Sequence, residues 1–351
     1  FRSVRRIAPR LIAYDLVGVQ PLTMPTGLIF CMKARYANDA AKASNDKSLP
    51  EALGLDEANA GYSGNGVANT AVTNSFAGGT AYTRGKAMTT QAGETSQAWN
   101  AMGVTIEKTN VTTETRQLRA DYSQEIAEDM KRVHGLNADS ELVNIISNEI
   151  TAEMNREMLD KLYISAKQGA QFTATPGQID LTTDVGGRWS AERFKGLQFA
   201  IDRDANRIAI ETRRGKGNKL IVSADVASAL AFAGIMSYAP AIAAQTNLNV
   251  DPSGATFVGT MGNYSVYVDP YAQGDGYLIG YKGSEANDAG IFYCPYVPLA
   301  LSRAVDPKTF QMALGFKTRY GWAVNPFVSI TNTFTPGANP YYRAAQINDL
   351  F

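Results

Sequence analysis

Between Asp121 and Lys167 the chain carries a long stretch of helical periodicity with one interruption, at Gly135. Asp121 followed by Gln124 fits a capping box, in which the carboxylate accepts an orphan amide of the first turn and the Gln reaches back. Ile126, Met130 and Val133 then repeat at helical spacing. Gly135 after His134 suits a left-handed cap, a conformation glycine adopts without steric conflict. Asn137 can start a second helix. In it Leu142, Ile145, Ile146, Ile150, Met154, Met158 and Leu162 form one apolar stripe with steps of three and four. Glu141, Glu149, Glu153, Arg156 and Lys161 lie mostly off that stripe. Glu149, Glu153 and Glu157 set like charges at the unfavourable spacing of four. A helix of roughly thirty residues spans about 40 Å, longer than one small domain needs. The plain reading is a long surface helix whose Ile145/Ile150/Met154 stripe faces the chain's own β-structure.

Composition narrows the class. With 351 residues the chain can bury a sizeable core and hold two or three subdomains. Lys plus Arg equals Asp plus Glu at 33 each, so no global basic field exists to hold nucleic acid. No run of about twenty apolar residues appears, so no helical membrane span is expected. The two cysteines, Cys31 and Cys294, are far apart and form no metal or redox motif; free buried thiols in a reducing compartment are the expectation. There is no initiating Met, which fits either a processed product or a missing start.

The organisation along the chain is mixed. Residues 1–30 read as an arm, with Arg2, Arg5, Arg6 and Arg10 around Pro9, then short apolar runs between Pro21, Pro25 and Gly27. From about Asn38 to Asn110 the chain turns rich in Gly, Ala, Ser, Thr and Asn, with few large apolar residues. A loop that long is usually functional or disordered. An extended two-stranded excursion with turns at Gly78-Gly79 or Gly85 fits best, and such a hairpin needs a partner surface. GVTIEKTNVT (103–112) alternates as a strand. After the long helix, Phe194, Leu197, Phe199 and Ile201 keep helical spacing, and KLIVSADVASALAF reads as strand, cap and helix. TFVGTM, YSVYVDP, GYLIGY, GIFYCPYVPLAL and FQMALGFKTRYGWAVNPFVSI read as strands. The fold class is therefore α+β, with no fixed-period repeat.

Chemistry is sparse. The one histidine, His134, ends a helix, where it suits exposed carbonyls better than base catalysis. A single His disfavours His-based triads and multi-His metal sites. Gly215 to Lys219 lacks phosphate-loop spacing, and GYSGNGVAN lacks the last glycine of a dinucleotide fingerprint. No catalytic, cofactor-binding or metal-ligating residue is assigned, and no enzyme activity or cofactor is expected.

Three blocks resemble one family. LVGVQPLTMPTGLIFCMKARY (Leu16 to Tyr36), RADYSQEIAEDMKRVHGLNADSELVNIISNEITAEMNREMLDKL, and the C-terminal phrases VGTMGNYSVYVDPYA, GYKGSEANDAGIFYCPYVPL and DPKTFQMALGFKTRYGWAVNPF are similar to major capsid proteins of T-even-type tailed phages. In residues 38–100 that family often carries a larger inserted domain, for which this segment looks too short. The resemblance implies the Hong Kong 97-type capsid fold, divided as an N-terminal arm (1–30), an extended loop with flanking strands (31–112), a spine helix and peripheral domain (113–189), an axial domain (190–300) and a C-terminal return to the peripheral domain (301–351). It implies a mature, protease-trimmed shell protein assembling as hexamers of an icosahedral head around double-stranded DNA, located in the virion and assembled in the host cytoplasm. Expected partners are other copies in the hexamer and neighbouring capsomers, a vertex capsid protein, portal, scaffold and maturation protease, with packaged DNA touched weakly and non-specifically and no membrane. Alternatives are the pentameric vertex paralogue, an encapsulin-like nanocompartment shell, and, from another class, an α+β metabolic enzyme. Arg2, Arg5, Arg6, Arg84 and Lys86 are the candidate assembly-interface residues. Some shells of this fold join a loop Lys to a neighbour's Asn with a Glu as proton acceptor; Lys86 supplies the Lys, but T-even-type relatives generally rely on non-covalent contacts.

Overall fold

A computed structural model describes residues 11–37, 51–52, 62–64, 72–73, 81–82, 87–95, 99–135, 137–186, 189–238, 256–308 and 310–350. The first part of the chain holds α1 (Ala13–Leu16), β1 (Gly18–Val19), β2 (Thr26–Ala37), β3 (Glu51–Ala52), β4 (Val72–Thr73), β5 (Ala81–Tyr82), α2 (Thr90–Thr95), β6 (Ala101–Thr112) and β7 (Glu114–Tyr122). Then come α3 (Gln124–Asp129), running into a π-helical turn at Met130–His134, α4 (Ala138–Ser165), β8 (Ala166–Gln168), β9 (Gln178–Asp180), α5 (Ser190–Thr212), β10 (Lys219–Ser223) and α6 (Ala224–Phe232). The last part is β-rich: β11 (Ser237–Tyr238), β12 (Thr256–Met261), β13 (Tyr264–Asp269), β14 (Gly276–Gly280), β15 (Ile291–Val305), β16 (Met312–Val324) and β17 (Asn339–Asn348).

The chain divides into two compact units. The smaller comprises residues 30–108 with 211–213, and the larger holds the rest. In the larger unit one sheet runs in the order β11-β12-β13-β10-β14-β17-β8, with β9 also paired to β17. Its strand β10 reads Lys-Leu-Ile-Val-Ser and is buried from Leu220 onward. An unbroken apolar run marks a strand covered on both faces. Ile221, Tyr267 and Leu278 face one core, which contains Ile146, Ile150, Met154, Met158 and Leu162 of α4. Leu220, Val222 and Ile279 face a second, which contains Leu197, Ile201 and Ile208 of α5 and Val226 and Leu230 of α6. The sheet is thus the middle layer between α4 on one side and α5 with α6 on the other. A second sheet, β1-β15-β16-β7, packs Leu314, Phe316, Tyr320 and Trp322 into the α4 core.

Local signals behave as chemistry requires, with some departures. Ser123, not Asp121, caps α3, its hydroxyl accepting from the Ile126 amide at 3.3 Å. Asp121 lies in β7, paired with Arg119 at 2.7 Å. Gly135 takes φ +66° and closes the π turn. Asn137 caps α4 by accepting from the Asp139 amide at 3.2 Å. Ile145 does not face the core: it is 61% exposed, whereas Ile150 is 2% exposed. Seven residues rotate an ideal helix almost two full turns. A stripe that includes both Ile145 and Ile146 is therefore too wide for one contact, and Val143 and Leu159 fill the buried edge instead. Phe199 likewise leaves the α5 stripe and is exposed. The Ile126/Met130/Val133 repeat faces no core, with Ile126 and Val133 exposed. Strand β17 escaped sequence reading, although it pairs with β14, β8 and β9.

Candidate assembly surfaces

In the smaller unit, β2 and β6 form a ribbon extended by β3 in the order β3-β2-β6. Strand period places alternate residues on opposite faces. One face carries Lys33, Arg35, Thr105 and Glu107, all buried. Glu107 accepts from Arg35 Nη2 at 2.5 Å and lies 3.1 Å from Lys33 Nζ. Arg35 Nε donates to Thr105 Oγ1 at 3.1 Å. Burial works against the Glu107 charge, but the hydrogen bonds from Arg35 and Lys33 outweigh it and hold this carboxyl below its ordinary range. The opposite face carries Phe30 and Met32 of β2 and Met102, Val104 and Ile106 of β6, all exposed, with Ile106 at 69%. The ribbon thus buries Lys33, Arg35 and Glu107 and displays these apolar side chains, with Lys108 exposed beside them. Cys31 lies on the buried side, and both Cys31 and Cys294 are free buried thiols. Burial raises the pKa of each, that of Cys294 to about 12.

The larger unit resolves the like charges of α4. Arg116 of β7 reaches across to the helix. Its Nη1 donates to Glu153 Oε2 at 2.7 Å, its Nη2 to Glu157 Oε2 at 2.6 Å, and its Nε to the Tyr320 hydroxyl at 2.5 Å. Tyr320 in turn donates to Glu157 Oε2 at 2.6 Å. Burial opposes the Glu157 charge, and the hydrogen bonds from Tyr320 and Arg116 overcome it, so its pKa falls. This knot fastens α4 to β7 and β16, and sequence spacing gave no sign of it.

Arg2, Arg5, Arg6, Arg84 and Lys86, with the turns at Gly78-Gly79 and Gly85, lie outside the described residues. Strands β4 and β5 pair antiparallel, Val72 opposite Tyr82. Lys33, Arg35, Glu107 and Arg116 were missed. For the ribbon a signal existed: in Phe30 to Arg35 bulky apolar and basic residues alternate in phase. Among the described residues no cluster of His, Cys, Asp and Glu suited to a metal ion occurs. No described helix is long and apolar enough to cross a membrane.

A solved structure described as the capsid of Myoviridae phage XM1 overlays with a TM-score of 0.50 at 10% identity, covering 96% of this chain and 92% of that one. The architecture is that of the Hong Kong 97-type phage capsid proteins, as the sequence resemblance implied. The family model described as "Major capsid protein Gp23" matches residues 1–347. The chain belongs to the Gp23 major capsid protein family. It is 41% identical to the major capsid protein of Salmonella phage ViI, over 99% of this chain and 83% of that protein. It is 35% identical to that of Enterobacteria phage T4, over 99% of this chain and 81% of that protein. The T4 alignment extends over 430 residues, so the relative carries segments this 351-residue chain lacks. The protein is a structural component of the tailed-phage capsid shell and resides in the virion; the vertex-paralogue, nanocompartment and metabolic-enzyme alternatives are not favoured.

Proposed function

We propose that the chain builds hexamers of an icosahedral head around double-stranded DNA, and that its β2–β6 ribbon lies on a neighbouring subunit. One observation carries the contact: Phe30, Met32, Met102, Val104 and Ile106 share one exposed face while charged residues are buried behind them. Moving apolar surface out of water contributes about 25 cal/mol per Å², so a neighbour that covers this face supplies burial the single chain lacks. The segment from 38 to 110 belongs to the same extended excursion. The chain is read as the divisions 1–30, 31–112, 113–189, 190–300 and 301–351 of the capsid fold, working without catalytic turnover or a required cofactor. Arg2, Arg5 and Arg6 pair with a neighbour's carboxylates rather than grip DNA, because a shell of zero net charge releases its genome freely. Exposed pairs contribute only ~0–1 kcal/mol each, so their effect comes from repetition over many copies. Vertex protein, portal, scaffold and maturation protease complete the assembly.

The test is electron microscopy and sedimentation of the purified chain beside a Val104→Asp/Ile106→Asp variant. The unmodified chain is expected to form hexamers and closed shells, and the variant to remain folded but unassembled. Normal shells from the variant would remove the ribbon contact. Denaturing electrophoresis of mature particles is expected to give a single band near 37.8 kDa. A ladder of covalent multimers would show cross-linking instead.

A further inference from the structure

Between Ala166 and Ala170 the chain changes sides of the larger sheet. Ala166 is buried in the core that holds α4, and Ala170 in the core that holds α5 and α6. Strand β8 runs parallel to β17 between them, so Gly169 and Ala170 complete the crossing.

Ala170 takes φ +47° and is 0% exposed. The left-handed conformation sets Cβ too close to the following carbonyl oxygen, and alanine has no polar side-chain group to offset the cost. Its buried amide also requires an acceptor. Two contacts hold the chain just before the strained residue. The Gly169 amide donates to the Ala344 carbonyl at 2.8 Å, and Arg343 Nη1 donates to the Gln168 carbonyl at 3.2 Å. One lies within the turn itself, where the Thr173 hydroxyl donates to the Ala170 carbonyl at 2.7 Å.

The Ala170 amide reaches a different element. It donates to Asp204 of α5, 3.0 Å from Oδ2 and 3.3 Å from Oδ1. Asp204 is 2% exposed and also accepts from the Tyr277 hydroxyl of β14 at 2.7 Å. Burial raises the pKa of that phenol well above its ordinary value, so it stays a donor. The approach leaves no room for a side chain: a Cβ on Gly169 would clash with Asp204 Oδ2 and lie 3.1 Å from the Ala344 carbonyl oxygen.

Ala170 lies in the 113–189 division proposed above, and Asp204 and Tyr277 lie in the 190–300 division. As parts of one shell subunit, the two divisions must keep one angle in every copy for the shell to close. We infer that Asp204 is a positioning residue for assembly: by holding Ala170 in its left-handed turn, it fixes how the α4 division is set against the α5 division. The inference rests on the shell reading above. It concerns a joint inside one copy and not a contact between copies.

The test compares the unmodified chain with full-length Asp204→Asn, Tyr277→Phe and Asp204→Asn/Ala170→Gly. Particle diameters are measured by electron microscopy, backbone protection by hydrogen exchange, and stability by denaturant midpoint. Asp204→Asn replaces one accepting oxygen by a donor. It is expected to speed exchange across 169–173 about tenfold and to give particles of mixed diameter or open shells. Adding Ala170→Gly is expected to restore uniform particles, because glycine takes the left-handed turn without being held. Tyr277→Phe removes the other donor to Asp204. It is expected to lower the denaturant midpoint but leave diameters uniform, which separates lost stability from lost positioning. Uniform particles from Asp204→Asn, no restoration by Ala170→Gly, or mixed diameters from Tyr277→Phe would each overturn the inference while leaving the shell reading intact. Should Asp204→Asn fail to fold, recovery of soluble, uniform particles in the double variant supports the role, and no recovery overturns it. Absence of particles from the unmodified chain would remove both the inference and the shell reading.

Discussion

Helix α4 and the β2–β6 ribbon distribute their apolar residues in opposite ways. In α4, Ile146, Ile150, Met154, Met158 and Leu162 turn inward and the carboxylates of Glu153 and Glu157 turn out, where Arg116 gathers them. In the ribbon, Glu107, Lys33 and Arg35 are inside and Phe30, Met32, Val104 and Ile106 are outside. The first pattern is what a domain folding for itself requires. The second makes sense when the outer face is finished by another chain. One protein thus holds an element stabilised by its own core and an element whose apolar surface is reserved for assembly.

The sharpest break of this contrast is at Ile150, which is 2% exposed. Ile150→Asp buries an unpaired charge and is expected to abolish soluble, assembling protein; normal yield would deny α4 its place in the core. Ile150→Ala is expected to cost roughly 2–5 kcal/mol in denaturant unfolding, as for other large-to-small core changes.

In the ribbon the equivalent inside position is Glu107. Removing one partner of a buried ion group typically costs about 3–5 kcal/mol. Glu107→Gln should therefore lower the protection of β2 and β6 amides in hydrogen exchange. Unaltered protection would show that the charges behind the ribbon do not hold it.

Acid sharpens the same point. Glu107 and Glu157 are both held below their ordinary range by hydrogen bonds that outweigh burial. Their contribution is present in full above the unfolded carboxylate value of ~4.3 and is lost as the pH falls through the lower folded values. Denaturant midpoints should fall as the pH drops below about 4.3, and fall less in Glu107→Gln. Equal slopes in the two proteins would contradict the assignment.

How much of this was legible in the sequence follows from which interactions are local. Asn137 as a cap, Gly135 as a left-handed stop and the run Leu220–Ser223 were readable because each depends on residues a few positions apart. Ile145 was misplaced because steps of three and four cannot separate Ile145 from Ile146 until the packing partner is known. Arg116 joins Glu153, Glu157 and Tyr320 across distances that no spacing rule spans. The proposed arm and loop contacts at Arg2, Arg5, Arg6, Arg84 and Lys86 fall outside the described residues, whereas the exposed face of Phe30, Met32 and Ile106 was open to a reading of strand alternation.

The smallest effects on folding belong to the outer residues. Ile106→Ser and Ile145→Ser are each expected to change the stability of the isolated chain by no more than about 0.5 kcal/mol, as exposed substitutions generally do. Only Ile106→Ser should also reduce shell yield. If both reduce it, α4's outer face is an assembly surface as well, and the contrast between the two regions narrows.

The most direct measurement is a cryo-electron microscopy reconstruction of shells assembled from the unmodified chain, read at Phe30, Met32, Met102, Val104 and Ile106. The account predicts closed shells in which these five side chains are covered by a neighbouring subunit while Ile150 remains in its own subunit's core. Closed shells with the five side chains facing solvent would contradict it.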